Sequence, residues 1–212
     1  MKNYTSKRYL LLVVISLSFI LGVNAQYVVT ISKGDLSYSI SNDYSYAVVS
    51  GNSCPNSSSV TIDANLSYNA RTIPVTEIGD YAFQGSGISS VSIPGSVTKV
   101  GRNAFYNCSN LTSVYIEDSD NPIVFSSVGN ECFGNDDTSK KCITTLYIGR
   151  NLQYNTSRYP FYSQQKLTHV TISDKVTSLP PGLFYSCRSL ATITLPSSLK
   201  TIGSSVFAYS NC

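Results

Sequence analysis

Two stretches of this chain, Val97–Ile116 (VTKVGRNAFYNCSNLTSVYI) and Val176–Leu195 (VTSLPPGLFYSCRSLATITL), are copies of one phrase. Their apolar positions coincide: Val97 with Val176, Val100 with Leu179, Phe105 with Phe184, Leu111 with Leu190 and Ile116 with Leu195. Cys108 also falls on Cys187. Such a repeat constrains the fold more than composition does, because a unit that cannot bury its apolar face alone must stack on its neighbours. Strand-like pairs recur at Val91/Ile93, Val114/Ile116, Leu146/Ile148, Val170/Ile172 and Ile193/Leu195, with steps of 23, 32, 24 and 23 residues. Phenylalanine recurs at positions 83, 105, 133, 161, 184 and 207. This period predicts a repeat solenoid with a ladder of parallel β-strands, one short strand and one returning segment per coil. The Ala82-Phe83 and Ala104-Phe105 pairs predict a single helical turn in each return. Pro94 and Pro196 lack a backbone N–H and end their strands.

Ahead of the repeats the chain opens with Lys2, Lys7 and Arg8, then an apolar run from Tyr9 to Leu21 and small residues at Val23-Asn24-Ala25. This order predicts a secretory signal peptide over residues 1–25, cleaved before Gln26. The run falls short of the roughly 20 residues that span a bilayer, so no membrane insertion is expected after cleavage. The full chain carries 15 basic and 12 acidic residues. Three of the basic ones lie in the signal, which leaves twelve of each sign and a neutral mature chain. Neutrality removes the electrostatic case for nucleic acid.

From the cleavage site to about residue 74, alternating segments predict a β-rich cap. Leu36, Tyr38 and Ile40 alternate with serines, Asn42-Asp43 supplies a turn, and Tyr44, Tyr46 and Val48 alternate again, as in a half-buried hairpin. Val60–Ile62 and Thr72–Val75 read as two further short strands. A solenoid needs its first coil covered, which gives this region a structural role. Residues 75–212 then form about five to six repeats, the last incomplete.

In the well-formed repeats the position three residues after the phenylalanine holds Ser86, Cys108, Cys187 and Ser210, a pattern that predicts a tight buried slot where cysteine acts as a small apolar group. Cys132 and Cys142 bracket the polar stretch GNDDTSKK. They form either a disulfide closing that loop or two unrelated thiols. Cys54 and Cys212 stay unassigned, since six cysteines permit fifteen full pairings.

Catalytic constellations are missing from the sequence. The single histidine, His169, allows no two-histidine metal site, and no Gly-x-Ser-x-Gly or phosphate loop occurs. Asp118/Asp120 and Asp136/Asp137 read as solvated loop acids, without the oxygen-ligand pattern of a calcium site. No cofactor or enzymatic activity is expected. Strand alternation instead nominates a surface: with Val114 and Ile116 inward, the outward row runs Ser92, Tyr115, Tyr147, Thr171 and Thr194, with His169 on the same face. Tyr115 and Tyr147 present flat apolar bodies with polar tips, suited to a sugar or a protein loop, or to packing across adjacent strands.

The runs ARTIPVTEIGDYAF, from Ala70, and SIPGSVTKVGRNAFYNCSNLTSVYI, from Ser92, carry Ile-Gly-x-x-Ala-Phe, Cys-x-x-Leu and Val-x-Ile-Pro at fixed offsets. From about Val75 to Cys212 this resembles the BspA-like leucine-rich repeats of bacterial and some protist surface proteins. The resemblance implies a right-handed solenoid on a secreted or cell-surface protein. It implies an adhesion role, with an extracellular protein or glycan as partner, a host matrix or plasma glycoprotein among them. Three departures stand out: an insertion before Cys142, Pro160-Phe161 in place of Ala-Phe, and a last repeat that stops after Phe207. The last of these raises a second expectation, a structural fragment of a longer array that self-associates through its open coil.

Overall fold

The computed structural model describes residues 27–126, 132–135, 137, 140–155 and 159–212. The expected signal peptide lies outside the described residues. Among the described residues there are fifteen short strands; most of them wind a solenoid whose coils have three hydrogen-bonded sides.

The first side is the strand ladder expected from the repeats. Strands β4 (Ser59–Thr61), β7 (Ser90–Ile93), β9 (Ser113–Ile116), β11 (Thr145–Ile148) and β13 (His169–Ile172) form one parallel sheet in the order β13-β11-β9-β7-β4. Its register aligns the repeat positions: Val91 with Val114, Val114 with Leu146, and Leu146 with Val170. Val91, Ile93, Val114, Ile116, Leu146 and Ile148 are buried, as the period-two pattern requires. The fifth expected pair, Ile193/Leu195, forms no strand; Leu195 is exposed and Ile193 only half-buried. Among the described residues no strand pairs with this segment, and the pattern there is not realised as a rung.

The second side is one the repeat reading does not reveal. Strands β6 (Arg71–Ile78), β8 (Lys99–Val100), β10 (Ile123–Phe125) and β12 (Leu152–Gln153) pair in parallel, and β14 (Ser178–Leu179) pairs with β15 (Thr201–Ile202) as a separate two-stranded sheet. Strands β8, β10 and β12 turn only one or two apolar side chains inward each, such as Val100 and Phe125, too few to show a period. Where the chain leaves this side the coils nearly touch. A Cβ on Gly101 would sit 2.6 Å from the Asp80 nitrogen, and one on Gly203 2.5 Å from the Pro181 nitrogen. Only glycine fits such an approach.

The third side carries the phenylalanines. The returns are hydrogen-bonded turns rather than the helical turns expected. Residues two before and two after the phenylalanine take left-handed backbone: Tyr81 and Gly85, Asn103 and Asn107, Gly182 and Ser186, Ser205 and Tyr209. A left-handed residue every fourth position stops helix propagation. It also frees the amides to bond along the solenoid, as from Phe83 N–H to the Ala104 carbonyl (2.8 Å) and from Phe184 N–H to the Val206 carbonyl (2.9 Å). Inside, Phe83, Phe105, Phe133 and Phe161 form a column of stacked rings with centroids 5.0, 5.0 and 4.9 Å apart. Regular coil spacing and offset stacking thus reinforce each other.

The slot after the phenylalanine is buried at Cys108 and Cys187 but only half-buried at Ser86 and Ser210, and its occupant is a donor rather than an apolar filler. The Cys108 thiol donates to the Phe83 carbonyl (2.9 Å), Cys187 to Phe161 (3.4 Å), and the Ser210 hydroxyl to Phe184 (2.6 Å). Gln164 fills the same slot in the irregular coil, its Nε2 donating to the Phe133 carbonyl at 2.9 Å. All six cysteines are free thiols, so Cys132 and Cys142 are not joined. Cys132 is buried in the core, whereas Cys142 is half-exposed and donates to the Lys140 carbonyl at 3.1 Å.

At the N-terminal end β1 (Tyr27–Lys33), β2 (Leu36–Ser41) and β3 (Ala47–Asn52) form an antiparallel meander, and β2–β3 is the expected hairpin. β3 then pairs in parallel with β6, which makes the meander continuous with the second side. A further hairpin joins β5 (Asn65–Tyr68) to β6 through Asn69-Ala70. Both turn residues have positive φ, 50° and 59°, the geometry whose twist matches a two-residue hairpin loop.

Candidate recognition face

The face strands place their outward side chains in two rows. Register aligns Thr61, Ser92, Tyr115, Tyr147 and Thr171 in one, and Ser59, Ser90, Ser113, Thr145 and His169 in the other. Tyr115 and Tyr147 stack with centroids 4.3 Å apart and an interplanar angle of 15°. They stack because parallel in-register strands bring equivalent residues one strand spacing apart. Tyr115 stays 43% exposed even so, which leaves the pair as the largest apolar feature of the face.

Around Tyr147 the surface deepens into an open groove of about 880 Å³. Tyr147, Thr171 and Thr194 line it, together with residues that sequence reasoning did not nominate: Ser173, Asp174, Lys175 and Pro196, and Asp118, read there as a plain loop acid. These follow the face strands, in the turns where each coil leaves the face. Their only advance signal is the Ser-Asp-Lys and Glu-Asp-Ser-Asp polarity after Ile172 and Ile116. Of the expected face residues, Tyr115 joins the groove through its stack. Ser92 lies on the opposite side of Tyr115, its hydroxyl 3.5 Å from a Glu117 carboxylate oxygen. His169 is exposed in the second row, its Nδ1 2.8 Å from the Thr168 hydroxyl, and it does not line the groove.

The groove walls are held in place. The Tyr147 hydroxyl donates to Asp118 Oδ1 at 2.8 Å. Partial burial, and then the Asp118 carboxylate, push this phenol above its ordinary value, so it remains a donor at physiological pH. Gly149 lets the coils close here, since a Cβ on it would lie 2.4 Å from the Asp118 nitrogen. Lys175 Nζ bonds Asp120 Oδ1 at 2.8 Å; that hydrogen bond and the opposite charge lower the Asp120 carboxyl and raise the Lys175 ammonium. Both residues are exposed, so the pair orients more than it stabilises.

Behind the face lies a residue no pattern indicated. Arg150 is fully buried, and its guanidinium donates to the carbonyls of Pro94 (2.8 Å), Gly95 (2.9 Å) and Val97 (2.8 Å). Burial lowers it to about 10, opposed by the nearby Glu117 carboxylate. Glu117 in turn accepts from the Gly95 N–H at 3.2 Å. The turn leaving β7 is thus fixed from two later coils.

Among the described residues no group of histidines, cysteines and acids is placed to hold a metal ion, and no helix is long and apolar enough to cross a membrane.

Three-sided coils, a phenylalanine column and a parallel face ladder define a leucine-rich-repeat solenoid. The chain belongs to the BspA type leucine rich repeat family, whose model matches residues 52–157 and 76–212 in six copies. Solved structures of similar shape include a leucine rich cell surface protein from Faecalibacterium prausnitzii, 24% identical over 86% of this chain and 54% of that one, with a TM-score of 0.47. The leucine rich repeat protein of T. pallidum is 20% identical over 84% of this chain and 88% of that one, with a TM-score of 0.50. The pneumococcal vaccine antigen PcpA is 17% identical over 85% of this chain and 47% of that one, with a TM-score of 0.58. The chain spans about half the length of the F. prausnitzii protein. No curated protein matches the sequence.

Proposed function

We propose that this chain is an exported, cell-surface recognition module that binds an extracellular protein or glycan through its strand face. The observation that carries the reading is the exposed Tyr115–Tyr147 stack at the edge of a polar groove. Solvent-facing aromatics that share one row are the residues that recognition surfaces spend most binding energy on. The family supports the location. The reading is non-catalytic: it asks the face to bind, not to react.

The test is binding of the purified chain to immobilised matrix and plasma glycoproteins, beside a Tyr115→Ala/Tyr147→Ala variant. The expected result is binding by the wild type and its loss in the variant, with the melting curve unchanged. Equal binding by both, or a variant that no longer folds, assigns the tyrosines to packing.

A second reading, self-association through the last coil, is favoured by one observation. Leu195, Ile202 and Tyr209, one on each side of the last coil, are 39%, 50% and 70% exposed large hydrophobic side chains. Light scattering across a concentration series checks it: a mass that rises with concentration supports an end-on interface, and a constant monomer removes it.

A further inference from the structure

The groove has a chemistry that selects among extracellular ligands. Its aromatic wall is a single ring: Tyr147 is covered by Tyr115 towards β9, and towards β13 its row neighbour is the small Thr171. The ring is held against rotation by its hydroxyl bond to Asp118. Beyond the ring stand hydroxyls and charges, from Thr171, Ser173 and Thr194 and from Asp118, Asp174 and Lys175.

A protein anchor side chain would want an enclosed apolar pocket, and here the exposed groups opposite the ring are polar. An anionic ligand meets the wrong field, because Lys175 is already engaged by Asp120 while Asp118 and Asp174 add two more carboxylates. What fits is a neutral ring with one apolar face and a rim of hydroxyl donors. A pyranose is such a body: its C–H face carries slight positive charge that matches the negative face of an aromatic ring. Its adjacent hydroxyls can donate to a carboxylate in charge-assisted hydrogen bonds.

We propose that the groove between Tyr147 and Lys175 is a carbohydrate subsite that takes an uncharged pyranose unit, with the sugar ring laid on Tyr147 and its hydroxyls bound by Asp118 and Asp174. The proposal rests on the strand face being a recognition surface, and it names the ligand class for that surface.

Saturation-transfer NMR on the full mature chain tests it, with maltotriose, cellotriose, mannotriose and N-acetyllactosamine as neutral probes and a heparin tetrasaccharide as the anionic control. The expected result is transfer from aromatic protons to at least one neutral probe at millimolar concentration and none to heparin. Tyr147→Ala and Asp174→Asn should each weaken that binding by about tenfold or more. Thr171→Tyr, a surface change that fills the groove and leaves Tyr147 intact, should abolish it; this variant decides the matter if Tyr147→Ala fails to fold. Transfer to heparin in preference to the neutral sugars overturns the proposal, as does neutral-sugar binding that survives Thr171→Tyr. If no neutral probe binds while the double tyrosine variant still loses glycoprotein binding, the sugar subsite falls and the recognition face stands. If glycoprotein binding is also indifferent to the tyrosines, both fall.

Discussion

Cys108 and Cys187 sit where Ser210 sits in another coil, and the exchange is explained by what all three side chains do. Each donates to the carbonyl of the phenylalanine one coil earlier, and at Phe83 and Phe184 this is a second bond, because those carbonyls also accept from the Ser86 N–H (2.9 Å) and the Cys187 N–H (3.2 Å). A thiol does this more weakly than a hydroxyl but is cheaper to bury. Burial holds the Cys108 thiol up at about 12 and the Cys187 thiol at about 11. A free cysteine ionises near about 8.5, so the unfolded chain releases these protons first. The folded state binds more protons from that point upward, and stability must fall as pH rises. Full stability is expected below about pH 8.5, with a decline that continues towards the folded values. Urea midpoints measured from pH 7 upward check this. Cys108→Ser should decline less steeply, because serine keeps the hydrogen bond without the ionisation. Identical pH profiles for the two proteins would contradict the account.

Among the elements, the face strands were legible in advance and the second side was not. Val-x-Ile recurring every 23 or so residues marks β7, β9, β11 and β13 because two inward residues per strand are enough to show alternation. β8 and β12 have two residues each, and nothing in Lys99-Val100 or Leu152-Gln153 separates a strand from a turn. The tyrosine row was readable from the same alternation. The groove beside it was not, because Asp118 and Lys175 meet only when coils 29 and 28 residues from Tyr147 are stacked. Arg150 was invisible for a related reason: its acceptors are main-chain carbonyls 53 to 56 residues earlier. It clamps the exit of β7 to the exit of β11, and Arg150→Met tests that role by keeping length and removing the donors. Three interior carbonyls would then lose charged partners, each worth ~1.5–3 kcal/mol, offset in part by the relief of burying a cation. The expected loss is ~2–4 kcal/mol in a urea titration at unchanged slope. A loss within about 0.5 kcal/mol would make Arg150 a bystander.

At the scale of the molecule, stability is distributed as in any stacked array: each coil is held by its two neighbours, and end coils are held by one. The two ends are treated differently. At the N-terminal end the β1–β2–β3 meander pairs directly with β6, so the second side begins under a three-stranded cover. At the other end, among the described residues, β15 pairs only with β14, the two form a sheet separate from the longer ladder, and Ile202 and Tyr209 are exposed. The Phe184–Phe207 stack is also looser, with centroids at 5.8 Å against 5.0 Å for Phe83–Phe105. Local opening free energy follows buried apolar contact and protected backbone bonding, so it should decline along the axis. Native-state hydrogen exchange reads this directly. The amides of Gly203 and Ala208 should exchange first, those of β9 and β11 last, and the meander should behave like the centre rather than like an end. Because the groove lies between Tyr147 and Thr194, it straddles the well-held and the weakly held coils. A ligand that bridges it should therefore slow exchange in the last coil more than in β9, whereas uniform protection along the solenoid would show one cooperative unit with no such gradient to draw on.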